Sequence, residues 1–299
     1  MRMDGIIIID KPAGWTSNDV AAKLRGAFKE KRIGYSGTLD PMATGVLPMF
    51  AGRATRAVEF FSGDDKEYVA GLRLGIVTDT QDVTGNVLQT SEASVTAVEI
   101  SAVLPAFMGA QKQIPPMYSA IKIGGKKLYE MARRGVEVPR PARDIVVSEI
   151  ELLGGDIRDS AGPEFLLRIV CSKGTYVRTL CHDIGAALGC GGVMSSLRRT
   201  RAGSFTVDMA HPLDEVLDAI TSGSAARFVM PVDSVFSRYP DAAITQADVI
   251  KCKNGAPCGA GDLADGTYRF YGPDNEFIML GEVNAGIAKA IKSFWAPET

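Results

Sequence analysis

Four consecutive isoleucines, Ile6–Ile9, set between Gly5 and Asp10, constrain this chain more than any other feature. A short run of β-branched residues that ends in the turn Lys11-Pro12-Ala13-Gly14-Trp15 reads as a strand buried in a sheet. Other segments supply its partners. Val46–Phe50 reads as a short strand, and Glu67–Gly75, Ile145–Leu153, Glu164–Cys171 and Ser195–Phe205 as further strands. Between them lie helical stretches. Ser17 is placed to cap a first helix supported by Asp19, Arg53–Phe61 reads as an amphipathic helix, and Thr96 with Glu99 forms a capping box. A helix from Thr175 ends at Gly189. Strands and helices do not alternate regularly, so the expected class is α+β: a mixed, largely antiparallel central sheet with flanking helices.

Two segments depart from this texture. Residues 112–143 begin and end near prolines, carry the turn Gly124-Gly125 and hold one expected helix, Lys126–Arg134, closed by Gly135. Eight Lys/Arg stand there against two Glu, although the whole chain has a net charge of −2. A second cluster, Arg168–Arg201, has six Lys/Arg against one Asp. Such stretches are either solvated faces or surfaces that meet a phosphate backbone. The other departure begins near Ser237, where Gly-rich, short alternating runs suggest a small β-rich domain over residues 237–299. Residues 1–236 would then form the larger domain.

Five cysteines, odd in number and without a C-x-x-C pair, fit a reduced cytoplasm and match no usual zinc spacing. No stretch resembles a signal peptide or is long enough to span a bilayer, so a cytoplasmic location is expected.

The residues that could carry chemistry each admit two readings. Asp40-Pro41 is a favoured helix start, and taken alone the pair fits a cap. The density of Gly34, Gly37 and Gly45 around it favours a constrained loop that presents a carboxylate to a ligand. Tyr68 lies in a strand, where a tyrosine is usually core. Arg178 falls in the first turn of a helix, an unfavourable place for a cation, and so should have a carboxylate partner. The strand carrying Arg198, Arg199 and Arg201 reads as a solvated edge or as a phosphate contact.

The strings GIIIIDKPAGWTSNDV, GYSGTLDPMATGVLP, KEYVAGLRLGIVTDTQDVTG, IPPMYSAIKIGGKKLYEMARRG, CSKGTYVRTLCHDIG and SSLRRTRAGSF, in this order, resemble the TruB family of transfer-RNA pseudouridine synthases. The resemblance covers most of residues 3–205. The last stretch, through YGPDNEFIMLGEV and AKAIKSF, is more loosely similar to the family's small, PUA-like RNA-binding domain.

That resemblance implies the pseudouridine synthase fold and isomerisation of a uridine, position 55 of the tRNA T-loop, flipped out of its stack. It implies Asp40 as the catalytic aspartate, Tyr68 as the residue stacked on the base and Arg178 as the aspartate's partner. Tyr35, Tyr176, Leu197 and Lys11 would meet the substrate. Lys122, Lys126, Lys127, Arg133, Arg134, Arg198 and Arg199 would meet the RNA backbone of the T-arm. The isomerisation consumes no electrons, phosphate or water, so no cofactor and no metal are expected, and no obligatory protein partner is implied. A non-catalytic T-arm-binding protein is the alternative. Family members commonly carry His-Thr where this chain has Tyr35-Ser36, which leaves turnover expected but T-loop affinity altered.

Overall fold

A computed structural model of the chain describes residues 3–61, 63, 65–159 and 162–295. Chain order begins β1 (Gly5–Lys11), α1 (Ser17–Phe28), β2 (Ile33–Tyr35) and β3 (Thr44–Ala51). After a 3-10 turn come α2 (Val58–Phe61), β4 (Lys66–Leu74), β5 (Ile76–Thr78), β6 (Val87–Thr90), α3 (Ala97–Val103) and β7 (Gly109–Gln113). The basic segment contributes β8 (Lys122–Ile123), β9 (Lys126–Lys127) and α4 (Leu128–Ala132). Then follow β10 (Arg143–Asp159), β11 (Gly162–Cys171), α5 (Val177–Ala187), β12 (Gly192–Ala202), β13 (Phe205–Thr206), β14 (His211–Pro212) and α6 (Leu213–Thr221). The chain closes with β15 (Asp241–Ala243), α7 (Gln246–Lys253), β16 (Cys258–Gly259), β17 (Gly266–Tyr271), β18 (Phe277–Asn284) and β19 (Ile287–Ser293).

Among the described residues the central sheet runs β14-β1-β3-β12-β4-β11-β10-β7, with β13 and β2 paired at its side. Only the β1–β14 and β3–β12 pairs are parallel, so the sheet is mixed and largely antiparallel. The isoleucine run divides between two cores, as side-chain alternation along a strand requires. Ile7 and Ile9 pack with Val20 and Leu24 of α1, Val216 of α6 and Leu180 and Ile184 of α5. Ile6 and Ile8 pack on the opposite face with Phe50, Phe61, Phe205 and Phe236.

That second core continues into a separate sheet, ordered β15-β17-β18-β19-β16. Leu280 of β18 and Phe294, just past β19, enter the cluster of Ile6 and Ile8. Phe294 stacks on Phe277 with ring centroids 5.2 Å apart and lies 5.4 Å from Phe236. Lys292 bridges Glu59 at 2.6 Å beside this apolar seam.

Several local expectations shift. Thr16, not Ser17, caps α1: its hydroxyl accepts from Asp19 N at 3.0 Å while Asp19 accepts from Thr16 N at 2.9 Å. Ser17 turns inward. Residues 53–61 are a 3-10 turn followed by a single α turn rather than one amphipathic helix. The expected helix 126–134 shortens to α4, because Lys126–Lys127 pair with Lys122–Ile123 as a hairpin across Gly124-Gly125. Gly135 closes it as expected, at φ +70° with Val136 N donating back to Met131 O. The arginine-bearing β12 is not an edge strand but runs between β3 and β4. All five cysteines are free and buried.

Candidate active site

The loop between β2 and β3 carries Asp40, and it is fixed at three points. Leu39 is buried, and the Ser17 hydroxyl accepts from its N–H at 2.9 Å and donates to its carbonyl at 3.3 Å. Asp40 opens a turn, not a helix, with Ala43 N donating to its carbonyl at 3.0 Å. The cap reading of Asp40-Pro41 therefore fails. Pro41 O accepts from Gly14 N at 2.8 Å and from Lys11 Nζ at 3.2 Å.

Lys11, expected at the substrate, is turned into the protein instead. Its side chain is wholly buried, and its ammonium also donates to Pro12 O at 2.8 Å and Trp15 O at 2.6 Å. Three carbonyls thus satisfy its three donors. Burial lowers its pKa to about 8, against the opposing pull of Asp40. The lysine ties the first turn of the chain to the Asp40 loop.

Arg178 reaches Asp40 from α5. Its Nε lies 2.9 Å from Asp40 Oδ2 and its Nη2 3.4 Å from Oδ1, so both carboxylate oxygens are engaged. The arginine side chain is 5% exposed and the aspartate side chain 37%, so the pair is rooted in protein and open at the carboxylate. Remaining guanidinium donors go to Thr80 O at 2.9 Å and Tyr118 O at 2.8 Å. The start of α5 is held without a side-chain cap of its own. Gln113 accepts from Tyr176 N at 2.8 Å and donates to Tyr176 O at 3.0 Å.

A second carboxylate, Asp82, which is not among the residues expected from the sequence, completes the cluster. Asp82 Oδ2 lies 3.8 Å from Arg178 Nη1. Asp82 Oδ1 accepts from Thr80 Oγ1, Thr84 N and Thr84 Oγ1 at 2.6–2.9 Å. The one available signal was the Asp-Val-Thr sequence after Thr80, which suits a side chain that folds back on its own turn.

Beneath the loop the sheet register builds a row. Lys11 pairs with Gly45, Gly45 with Arg199, Arg199 with Tyr68, and Tyr68 with Ile169. Tyr68 is nearly buried, and that burial raises its phenol pKa while Arg199 opposes the rise. Leu197, opposite Ala70, continues the same face two residues along β12. Tyr176, half-buried with its phenol raised by burial, feels both Asp40 and Arg178. Asp40, Tyr68, Arg178, Tyr176 and Leu197 are thus gathered over one end of the central sheet.

The residues expected on RNA divide. Lys122, Lys126, Arg133 and Arg134 are exposed on the projecting segment. Lys127 is half-buried and lies with Arg133 over the Tyr129 ring, 5.4 and 5.3 Å from its centroid. Tyr35 is half-buried on β2 opposite Met49, and the bond from Arg178 Nη2 to Tyr118 O at 2.8 Å ties the start of this segment to the Asp40 site. Arg198 is partly exposed but paired with Asp10 at 2.8 Å. Arg199 is 1% exposed and does not reach the surface, because alternation along β12 sends it to the face opposite Arg198.

Solved structures with this architecture include one titled "Crystal Structure of a Cbf5-Nop10-Gar1 Complex". That chain has a TM-score of 0.71 and 27% identity, over 97% of this chain and 85% of that one. Another, "Structure of H/ACA RNP bound to a substrate RNA containing 2'-deoxyuridine", has a TM-score of 0.71 and 25% identity, over 98% and 85%. The family matches place a chain of this fold in the class of pseudouridine synthases. Residues 25–177 match the N-terminal domain of the TruB family pseudouridylate synthases, and residues 178–237 match the tRNA pseudouridylate synthase B C-terminal domain. The tRNA pseudouridine synthase B of Syntrophomonas wolfei is 40% identical over 94% of this chain and 94% of its own length. That of Pseudomonas fluorescens is 42% identical over 95% and 92%. The chain belongs to the TruB family.

Proposed function

We propose that this chain isomerises uridine to pseudouridine at position 55 in the T-loop of tRNA, with Asp40 as the catalytic carboxylate. The observation that carries the reading is the Asp40–Arg178 pair: a buried arginine grips both oxygens of a carboxylate that remains open to a ligand. Isomerisation breaks the N1–C1′ bond, turns the uracil, joins C5 to C1′ and transfers the C5 proton to N1, so every atom is conserved. Attack by Asp40 on C1′, its addition to C6 and its removal of a sugar proton to give a glycal all require a fixed, accessible carboxylate. Tyr68 would offer a flat ring to the uracil and a hydroxyl near the proton that leaves C5.

The exposed Lys122, Lys126, Arg133 and Arg134 would hold T-arm phosphates and offset the few kcal/mol needed to unstack the base. Tyr35 would stack in the T-loop where other members carry histidine. Residues 1–236 would form the catalytic domain and 237–299 a small RNA-binding domain, in a cytoplasmic protein. Mapping of pseudouridine in a T-arm hairpin tests the reading. Product is expected at the T-loop uridine alone; no product, or product at another uridine, would overturn it.

A further inference from the structure

Arg199 is the largest of the fully buried side chains, and no carboxylate pairs with it among the described residues. Its Nε donates to Val46 O at 2.7 Å, which ties it to β3. Its Nη1 backs onto the Asp40 loop: a Cβ on Gly37, a residue at φ +73°, would come within 2.9 Å of it. Its Nη2 is buried without an acceptor. On β4, Tyr68 stands directly opposite. Gly45, the intervening position on β3, has no side chain, and a Cβ there would lie 2.2 Å from Arg199 O. The absence of a side chain at Gly45 therefore lets β12 close on β3 beneath the loop. A buried cation without an ion partner is costly and is retained only where the surroundings need it.

We infer that Arg199 is a positioning residue, setting the distance between the Asp40 loop and Tyr68 from below, and that it does not contact RNA. The inference rests on the catalytic reading of Asp40 and deepens it. The guanidinium donates to β3, backs onto Gly37 three residues before Asp40, and lies close enough to Tyr68 to oppose the rise of its phenol. Its planar fork can serve these directions at once; a lysine ammonium supplies the charge but not the span.

The test uses full-length Arg199→Met, Arg199→Lys and Gly37→Ala with a T-arm hairpin. Three quantities are measured: RNA affinity across a salt series, the single-turnover rate at saturating RNA, and thermal unfolding. Arg199→Met is expected to slow the saturated rate by about a hundredfold, the cost of a misplacement near 1 Å. Kd and its salt slope should match the parent, and Arg199→Lys should recover part of the rate. Gly37→Ala both strains the loop at φ +73° and presses on Nη1, and it carries the test if Arg199→Met does not fold. It should show the same rate loss at unchanged Kd, and the double variant Gly37→Ala with Arg199→Lys should lose less than the two single losses combined. A salt slope smaller by about one with an unaltered rate would make Arg199 a phosphate contact and overturn the inference. Parental rates in folded Arg199→Lys and Gly37→Ala would also overturn it. A parent chain that makes no pseudouridine would instead defeat the function proposed above.

Discussion

The Asp40 loop and the basic segment of residues 112–143 both depend on Lys and Arg, yet they treat these residues in opposite ways. Around Asp40 the cations are sunk: Lys11 donates to three carbonyls, Arg178 grips Asp40, and Arg199 lies beneath the loop. In the basic segment Lys122 and Lys126 stand in solvent on a short hairpin, and Arg133 and Arg134 just past α4. Buried cations hold geometry, because a guanidinium with its donors engaged has few alternative positions. Exposed cations supply counter-charge, which tolerates motion and is screened by salt. Charge count alone does not separate the two uses.

Substitutions at the buried end should bring the largest effects. Asp40→Asn keeps the shape and removes the charge, and should lower the saturated rate about a thousandfold or more while leaving RNA affinity intact. Arg178→Met should lose as much rate and also destabilise the fold by about 3 kcal/mol, since it strands a carboxylate beside buried groups. Urea unfolding separates these two effects. The triple change Lys126→Ala, Arg133→Ala and Arg134→Ala should do the reverse. It should flatten the dependence of log Kd on log salt by about three and leave the saturated rate unchanged. A lower saturated rate there would erase the contrast between the regions.

Asp82→Asn probes whether the Arg178 cluster acts as a unit. Its distance of 3.8 Å from Nη1 predicts a rate loss of about tenfold, or about 1.4 kcal/mol, read in single turnover. The last expected effect concerns Lys11 and is read in stability rather than in rate. Its folded pKa of about 8 lies below the ordinary 10.5, so between pH 8 and 10.5 the unfolded chain binds more protons. Stability should therefore rise with pH through that window, and Lys11→Met should abolish this part of the rise in urea unfolding at pH 8 and pH 10.

The same contrast explains what could be read from the chain before its fold was known. The isoleucine run, the Thr96–Glu99 box, the Gly135 stop and a carboxylate partner for Arg178 depend on local chemistry, and all appear in the structure. The expected contact of Arg199 with RNA depended on which face of β12 turns inward. That is decided by pairing with Tyr68 and Gly45, more than a hundred positions earlier in the chain, and alternation alone permits either outcome. Lys11 escaped for a similar reason, since its acceptor at Pro41 belongs to another loop. Asp82 meets Arg178 only once β4, β5 and α5 are folded. The shift from Ser17 to Thr16 as cap is smaller: adjacent hydroxyls both suit the position, and burial of Ser17 under Leu39 selects between them.

We propose a division of labour in which fixed geometry at Asp40 does the chemistry and exposed charge does the holding. Its most direct test is single-turnover pseudouridine formation at saturating T-arm RNA, with Asp40→Asn and the triple basic variant measured beside the parent. Almost no product is expected from Asp40→Asn at parental affinity, and a parental rate from the triple variant once enough RNA is added. Product at the parental rate from Asp40→Asn would contradict it.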